Sequence, residues 1–386
     1  MSKTVIGTSD LITVKHYSAG VFMEVVPQSF FLSKFIGPIQ KIGKYRQESS
    51  PDYPIQMITN LENEAGDAVS YDLFYRAKGI PIIGDNILRG NEMNLSWASD
   101  TVNIDQVRQG FNCGGKMTRK RTAHDLNAIA KVQGGGWTAE IVDEMFFAYF
   151  AGDRGDDTAI WILPTGTPAV LGINTLTAPQ SGRAIYGGDA TTTASIDAAD
   201  KFTIDLIDKG VAMLDTSTPF IRPCKMGGQK FRGVAVLHPF CIHDLRTNTG
   251  EGQWQDIVKA VGVRGTNNPI FQGDDFVGIH NGVAIFKHPK VVRNTDWGAG
   301  TVYGARNLLL GAQAGVIAWG APKKGERFTW HEELEDRGNQ QILDFGAMFG
   351  IKRCIFTDPA DSTAKDNGMI TINTACANPN TSTGAL

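Results

Sequence analysis

VSYDLFYRAKGIPIIGDNILRGNEMNLSWASDTVNIDQVR, residues 69–108, is the stretch around which the rest of the chain is read. From Val69 the side chains alternate: Val69, Tyr71, Leu73 and Tyr75 share one face, and Ser70, Asp72, Arg76 and Lys78 the other, with Phe74 out of pattern. That period of two is a strand. A second run, Leu95 to Arg108, starts with Leu95 and Trp97 in phase and then moves to Val102 and Ile104. The change of parity predicts a bulge or a strong twist. At about 3.3 Å per residue the run would reach roughly 45 Å, far longer than a common strand of about five or six residues. Between the two strands lies Gly79 to Gly90, where Ile80, Ile82, Ile83, Ile87 and Leu88 stand among glycines and Pro81. A long hairpin with an apolar tip is the reading. An isolated hairpin is marginal in water, and an exposed apolar tip marks a contact surface. The tip either folds back on its own domain or lies on another subunit.

Downstream, Thr118 to Ala151 carries the strongest helical period, with Trp137, Ile141, Met145 and Tyr149 four apart and Val142 and Phe146 widening the stripe. Gly134, Gly135 and Gly136 interrupt it at about 1 kcal/mol each relative to alanine, which predicts a bend or break. Lys116, Arg119, Lys120 and Arg121 sit in its expected first turns, the wrong sign for a helix N-terminus. They form a solvated face, or they meet acidic groups on a partner, or nucleic acid.

Residues 1 to about 62 combine Phe30, Phe31 and Phe35 with four prolines, and read as a layer of the subunit's own core or as an arm on a neighbour. Residues 152–199 read as connector with a strand at Ile160–Leu163. Helical period returns at Ile204, Ile207, Val211 and Leu214, followed by a strand at Gly233–Leu237 and a helix through Trp254, Ile257, Val258 and Val261 to Gly262. Asn281-Gly282 between two apolar runs signals a type I′ hairpin. Strands follow around Gly315–Trp319, Arg327–Glu332 and Gln341–Phe356, and past Asp358 the chain reads as a polar tail with a short strand at Met369–Ile372. Strands and helices mix without βαβ alternation, so the class is α+β.

Composition narrows the function. The 386 residues are 42% hydrophobic, with 37 basic against 40 acidic side chains and a formal charge of −3. That is neither a disordered chain nor the basic excess of a dedicated nucleic-acid binder. Glycine is the outlier at 44 residues, about 11% against a usual share near 7%. Five scattered cysteines without a CxxC pair, no secretory signal and no membrane-length apolar run point to a cytosolic product with reduced thiols.

No motif for catalysis is complete, and no cofactor is expected. Gly110 to Lys116 follows the phosphate-cradling loop, but Met117 stands where a Ser or Thr hydroxyl must reach magnesium. His331-Glu332 opens a zincin-like motif whose second histidine is replaced by Glu335. His238, Cys241 and His243 offer metal ligands without a fourth, and Gly273-Asp274-Asp275 and Gly155-Asp156-Asp157 are short acidic turns without company.

Ordered motifs carry a resemblance. Gly84-Asp85 to Asn91-Glu92, Ile104 to Arg108, Gly114 to Thr118 and Arg121-Thr122 are followed by Ile221-Arg222-Pro223, Leu237-His238-Pro239 and Asp244-Leu245-Arg246. Asn268 to Phe271, Gly311 to Ala314, Gly338-Asn339-Gln340 and Gly350-Ile351-Lys352 close the series. The chain resembles, over roughly residues 60–356, the major capsid protein family typified by the short-tailed coliphage N-four, which has the Hong Kong 97 fold.

The resemblance implies a division into an N-terminal arm (1–62), an extended hairpin loop (63–112), a peripheral domain with spine helix and connector (113–199), an axial domain (200–320), return strands (321–357) and a C-terminal tail (358–386). It implies a non-enzymatic shell subunit of the virion, made in the host cytoplasm, assembling with itself as pentamers and hexamers. Portal protein, and scaffolding and decoration proteins, are the further partners it implies. Double-stranded DNA would be enclosed without sequence-specific binding, and no membrane is involved. Ile80, Ile82, Ile83, Asp85, Ile87, Leu88, Arg89 and Glu92 become the candidate inter-subunit contacts, and Lys116, Arg119, Lys120 and Arg121 a basic cluster at the spine-helix start. The rival readings are an encapsulin-like host nanocompartment and a nucleotide- or metal-dependent enzyme.

Overall fold

Two mixed sheets enclose a helical layer, and the long hairpin of residues 68–103 belongs to neither. The computed structural model describes residues 29–42, 46–62, 65–122, 124–157, 160–164, 174–250, 252–255, 275–300, 302–321, 327–358 and 362–380. The chain opens with α1 (Phe30–Lys34), β1 (Ile39–Ile42), β2 (Arg46–Ser49), β3 (Ile55–Ile58), β4 (Ala68–Phe74), β5 (Trp97–Asn103) and β6 (Asp105–Gly115). Then come α2 (Lys116–Arg121), α3 (Leu126–Ala151), β7 (Ala184–Tyr186), α4 (Ile204–Thr216), β8 (Cys224–Met226), β9 (Gln229–Phe231), β10 (Gly233–Leu237) and α5 (Pro239–Thr247). The last third gives β11 (Phe276–His280), β12 (Val283–Lys287), β13 (Arg293–Asp296), β14 (Val302–Leu310), β15 (Gly315–Gly320), β16 (Phe328–Glu335), β17 (Gln340–Arg353), β18 (Ile355–Thr357), β19 (Ala364–Asp366) and β20 (Met369–Ala375).

The first sheet runs β1-β2-β3-β15-β17-β16, with β6 on the other edge of β17. Its axis is β17, whose first half lies antiparallel between β6 and β16 and whose second half pairs with β15. The first half is therefore the middle of a three-stranded ribbon. The second sheet runs β11-β12-β10-β14-β20-β7, with β13 also on β14. Along β10, Val234 and Val236 face the cluster built on α3, while Ala235 and Leu237 face α4 and α5. The period of two thus serves two cores at once.

The helical layer corrects two expectations. Helix α3 runs unbroken through Gly134–Gly136; α2 instead ends at Arg121, and α3 starts afresh at Leu126. A Cβ on Gly134 would stand 2.4 Å from the Phe345 ring, so this glycine lets α3 sit close against β17. Asp125 caps α3 by accepting from Asn127 N and Ala128 N, which satisfies two orphan donors. Gly152 ends the helix at φ 69, where a Cβ would meet Thr177 O at 2.1 Å. From Ile141 to Ala151 every residue is buried, so the expected one-sided stripe is a sheathed cylinder.

Within the segment assigned by resemblance to an arm (1–62), helix α1 and strand β3 join the subunit's own core. Phe30, Phe31 and Phe35 are buried against Phe146, Phe147, Phe150 and Phe286, with ring centroids 4.7–6.5 Å apart, and β3 pairs in parallel with β15. The segment expected as a tail also enters the core. Strand β20 is buried throughout and forms seven rungs with β14. Its polar residues disguised it, yet they are paired inside: Asn307 Nδ2 donates to Thr374 Oγ1 at 3.3 Å and Thr371 Oγ1 to Arg183 O at 3.4 Å. The boundary drawn at 320 does not follow the sheets, because β15 pairs with β3 and β17, and β7 from the connector joins the second sheet.

Other readings meet the structure directly. Helix α4 and strand β10 form as predicted, and Asn281 (φ 46) and Gly282 (φ 75) make the two-residue turn between β11 and β12. Ile160–Leu163 is not a strand: its amides turn to a side chain, Ile162 N and Leu163 N donating to the Glu144 carboxylate at 2.7 and 2.8 Å. Of the predicted Trp254–Gly262 helix, Ile257, Val258, Val261 and Gly262 lie outside the described residues, as do Gly273 and Asp274.

Candidate assembly surfaces

The hairpin of β4 and β5 pairs without a slip, from Ala68↔Asn103 to Phe74↔Trp97. The predicted bulge is therefore absent. Ala98, Val102 and Ile104 keep one parity and pack with Val69, Tyr71 and Leu73 on Ile58, Val316 and Phe356, while Leu95 and Trp97 belong to the outer face. The long second strand is also two strands. It ends at Asn103, and after Ile104 the chain enters the first sheet as β6.

The base of the hairpin is fastened. Tyr71 Oη donates to Asp100 Oδ2 at 2.7 Å, Lys352 Nζ reaches Asp100 Oδ1 at 2.5 Å, and the Tyr71 ring meets Phe356 edge-on at 5.7 Å. The last rung is Tyr75 N to Ser96 O, 2.9 Å. Beyond it there is no strand, and local bonds hold the turns: Asn86 Nδ2 to Ile83 O, Asn91 Nδ2 to Ile87 O, and Gly90 N to Glu92 Oε2 at 2.7 Å. Ile80 is 93% exposed, and Ile83, Ile87, Leu88, Met93 and Leu95 are exposed with it. Asp85, Arg89 and Glu92 share the tip's open surface, whereas Ile82 is half-buried. Phe74 and Trp97 extend the apolar stretch down the outer face.

A second apolar surface was not anticipated. Leu32 of α1, Thr138, Ala139 and Val142 of α3, and Phe328 and Phe345 of the ribbon line a groove of about 510 Å³. Its lining joins residues up to about three hundred positions apart, so no local pattern marks it.

The basic cluster does not start the long helix. Lys116 opens the separate α2, and Arg119, Lys120 and Arg121 fill its last turn, where the helix dipole favours cations. Arg119 donates to Gln341 Oε1, and Gln341 in turn to Glu332 Oε1; Lys116, Lys120 and Arg121 are exposed.

The sites considered for chemistry resolve into structure. The strand before Lys116 is antiparallel to β17, not the parallel strand of a phosphate loop. His331 is exposed on β16 opposite Asp344. His238 caps α5 by accepting from Phe240 N at 3.2 Å, and lies 3.4 Å from Cys376 Sγ; burial, reinforced by the charge of Arg293, pushes it down to about 3. His243 faces solvent. Asp156 accepts from Thr295 N and Oγ1, a loop tie. Among the described residues no three His, Cys, Asp or Glu side chains converge as a metal site requires, and all five cysteines are buried and free.

Beneath these surfaces lies a buried polar network. Asp143 accepts from Ser29 Oγ (2.5 Å), Phe30 N (2.7 Å) and Phe31 N (3.1 Å), so α3 caps α1. Desolvation raises Asp143 to about 6 against the pull of these bonds and of Lys290. Lys290 pairs with Glu140 and, at 2.6 Å, with Glu144. Two adjacent acids inside the apolar run Val142 to Phe147 were the available signal.

The family model described as phage capsid protein matches residues 5–378. The major capsid protein of Pseudomonas phage KPP25 is 24% identical over 339 residues, covering 83% of this chain and 87% of that protein. The capsid of Ralstonia phage GP4 superposes with a TM-score of 0.80 at 35% identity, covering 98% of this chain and all of that one. The capsid of cyanophage Pam1 superposes at 0.72 with 20% identity, over 97% and 99% of the two chains.

Proposed function

The chain belongs to the phage capsid protein family, and on that premise we propose how its surfaces close a shell. It is a major capsid protein of a tailed phage, a structural component of the virion with the Hong Kong 97 fold. The finer reading is that pentamers and hexamers of it form an icosahedral head around double-stranded DNA. The observation that carries this is the hairpin tip. Six large apolar side chains between Ile80 and Leu95 stand exposed beyond the last rung, an arrangement costly in water and stabilised when a partner covers it.

The extended loop is thus the β4–β5 hairpin with its tip, and the groove beside α3 and Phe328 is the apolar surface we assign to a neighbour's tip. The peripheral domain is α3 with the ribbon, and the axial domain is the second sheet with α4 and α5. Many modest contacts repeated by symmetry supply the stability of the shell. A charge of −3 suits a wall that confines DNA without adhering to it. Portal protein, and scaffolding and decoration proteins, are the further partners of this reading, with synthesis in the host cytoplasm; no catalytic step forms part of it.

Expression of the full chain, with scaffolding protein supplied, should yield closed particles several tens of nanometres across in negative-stain micrographs. A persistent small oligomer under those conditions would sink the proposal.

A further inference from the structure

At one end of the ribbon two sets of opposite charge are held apart by the sheet itself. Side chains alternate across β16 and β17. Trp330 and Glu332, with Gln341 and Phe345, point to the α2–α3 side, as Lys131 over Trp330 at 4.8 Å and the Arg119–Gln341 contact show. His331, Glu333 and Glu335, with Asp344, therefore point to the opposite side. There Gly110 and Gly346 leave a hollow of about 750 Å³, lined by Arg108, His331, Glu333 and Asp344. A Cβ on Gly110 would stand 2.5 Å from Asp344 Oδ1, so the hollow exists because that side chain is missing.

The register places Gly115, just before α2, beside Gln340, and Gln340 beside Glu335. Basic helix and acidic strand thus share one end of the ribbon, on opposite faces. Arg108, opposite Gly346, flanks the acidic set on its inner side, next to Asp344. Lys116, Lys120, Arg121, Glu333, Glu335 and Asp344 form no ion pair among the described residues.

We propose that this end of the ribbon is a head-to-tail self-interface, in which Lys116, Lys120 and Arg121 of one copy dock on Glu333, Glu335 and Asp344 of the next. The two faces cannot satisfy each other within one chain, but a second copy presents the complement of each. Contact between two different patches of identical chains is heterologous, and a rotation that closes turns it into a ring. Each exposed pair contributes little singly; orientation and selectivity come from matching the sets. The inference rests on the shell-forming role proposed above and names charged contacts within it.

The test is a charge swap in the full chain. Lys120→Glu with Arg121→Glu, and separately Glu333→Lys with Glu335→Lys, should each cut particle yield by about tenfold or more at low salt. All four substitutions together should restore yield to within about twofold of the unmodified chain. Unchanged circular dichroism controls for folding, since all four positions are exposed. Reversal variants that assemble as well as the unmodified chain would overturn the inference while leaving the shell-forming role intact. A combined variant no better than its parents would overturn it too, and if the Lys120/Arg121 variant had also lost DNA retention, the basic face would belong to nucleic acid. An unmodified chain that never assembles is failure of the earlier proposal instead.

Discussion

Around Asp143 charge is buried and partnered; around Ile80 hydrocarbon is exposed and has nothing to rest on. In the first region Asp143, Glu144 and Lys290 lie among phenylalanines, and each is held by ion pairs or amide hydrogen bonds. In the second, backbone and side chains beyond Tyr75 hold only local turns. The contrast separates two kinds of completeness. The core is finished within one chain, whereas the hairpin tip is finished only when another molecule arrives.

Deleting part of Gly79–Gly90 gives the sharpest test of that division. Assembly should be abolished in micrographs, with the melting transition of the free subunit unchanged; unfolding of the variant would show that the tip supports its own core. Lys290→Met is the mirror experiment. It leaves Glu144 buried without its cation, so chemical denaturation should show a loss of about 3–5 kcal/mol. A loss below about 1 kcal/mol would mean that the amides of Ile162 and Leu163 hold Glu144 unaided.

Two neighbouring glycines test how closely the core is packed. Gly134→Ala should cost about 1–3 kcal/mol, because the added methyl meets Phe345. Gly135 is exposed and has open space around its Cβ position, so Gly135→Ala should stabilise by up to about 1 kcal/mol. Equal effects in thermal melts would contradict the close approach of α3 to β17.

Acid probes the same region more gently. His288, buried between Phe30 and Phe147, and His238 are each lowered to about 3, chiefly by burial. Their folded values lie below the unfolded one, so their contribution is complete above about pH 6.5 and is lost as pH falls towards 3. Asp143, raised to about 6, acts in the opposite sense: its contribution is present below about pH 3.9 and is lost as pH rises through 6. Between about pH 4 and 6 these two histidines outweigh Asp143, so the three groups together make stability fall on acidification. His288→Phe should flatten that slope by up to about 1.4 kcal/mol per pH unit. An unaltered slope would mean that His288 is not the group being forced to take a proton.

What could be read from the sequence followed from local rules. The alternating faces of Val69–Leu73, the Asn281-Gly282 turn and the stripe of α4 need only near neighbours, and all three formed. The apolar tip was legible because five aliphatic residues among glycines are conspicuous. The rest depended on distance along the chain. Phe30 meets Phe147 across more than a hundred residues, Lys290 meets Glu144 across 146, and β20 looked like tail because Thr and Asn hide a strand whose polar groups are paired. Gly134 was misread for a related reason: its cost in an isolated helix is visible locally, while the ring that requires it lies at Phe345.

The last rung at Tyr75 and Ser96 has one further consequence. Arg76, Lys78 and Arg89 all lie beyond it, on backbone that no neighbouring strand protects. Trypsin acts on such exposed basic positions, so a subunit still waiting for a neighbour carries its own cleavage sites in the open. Docking would close them. Under brief digestion, the fraction of intact chain then becomes a clock for assembly, recording how long each copy remained alone.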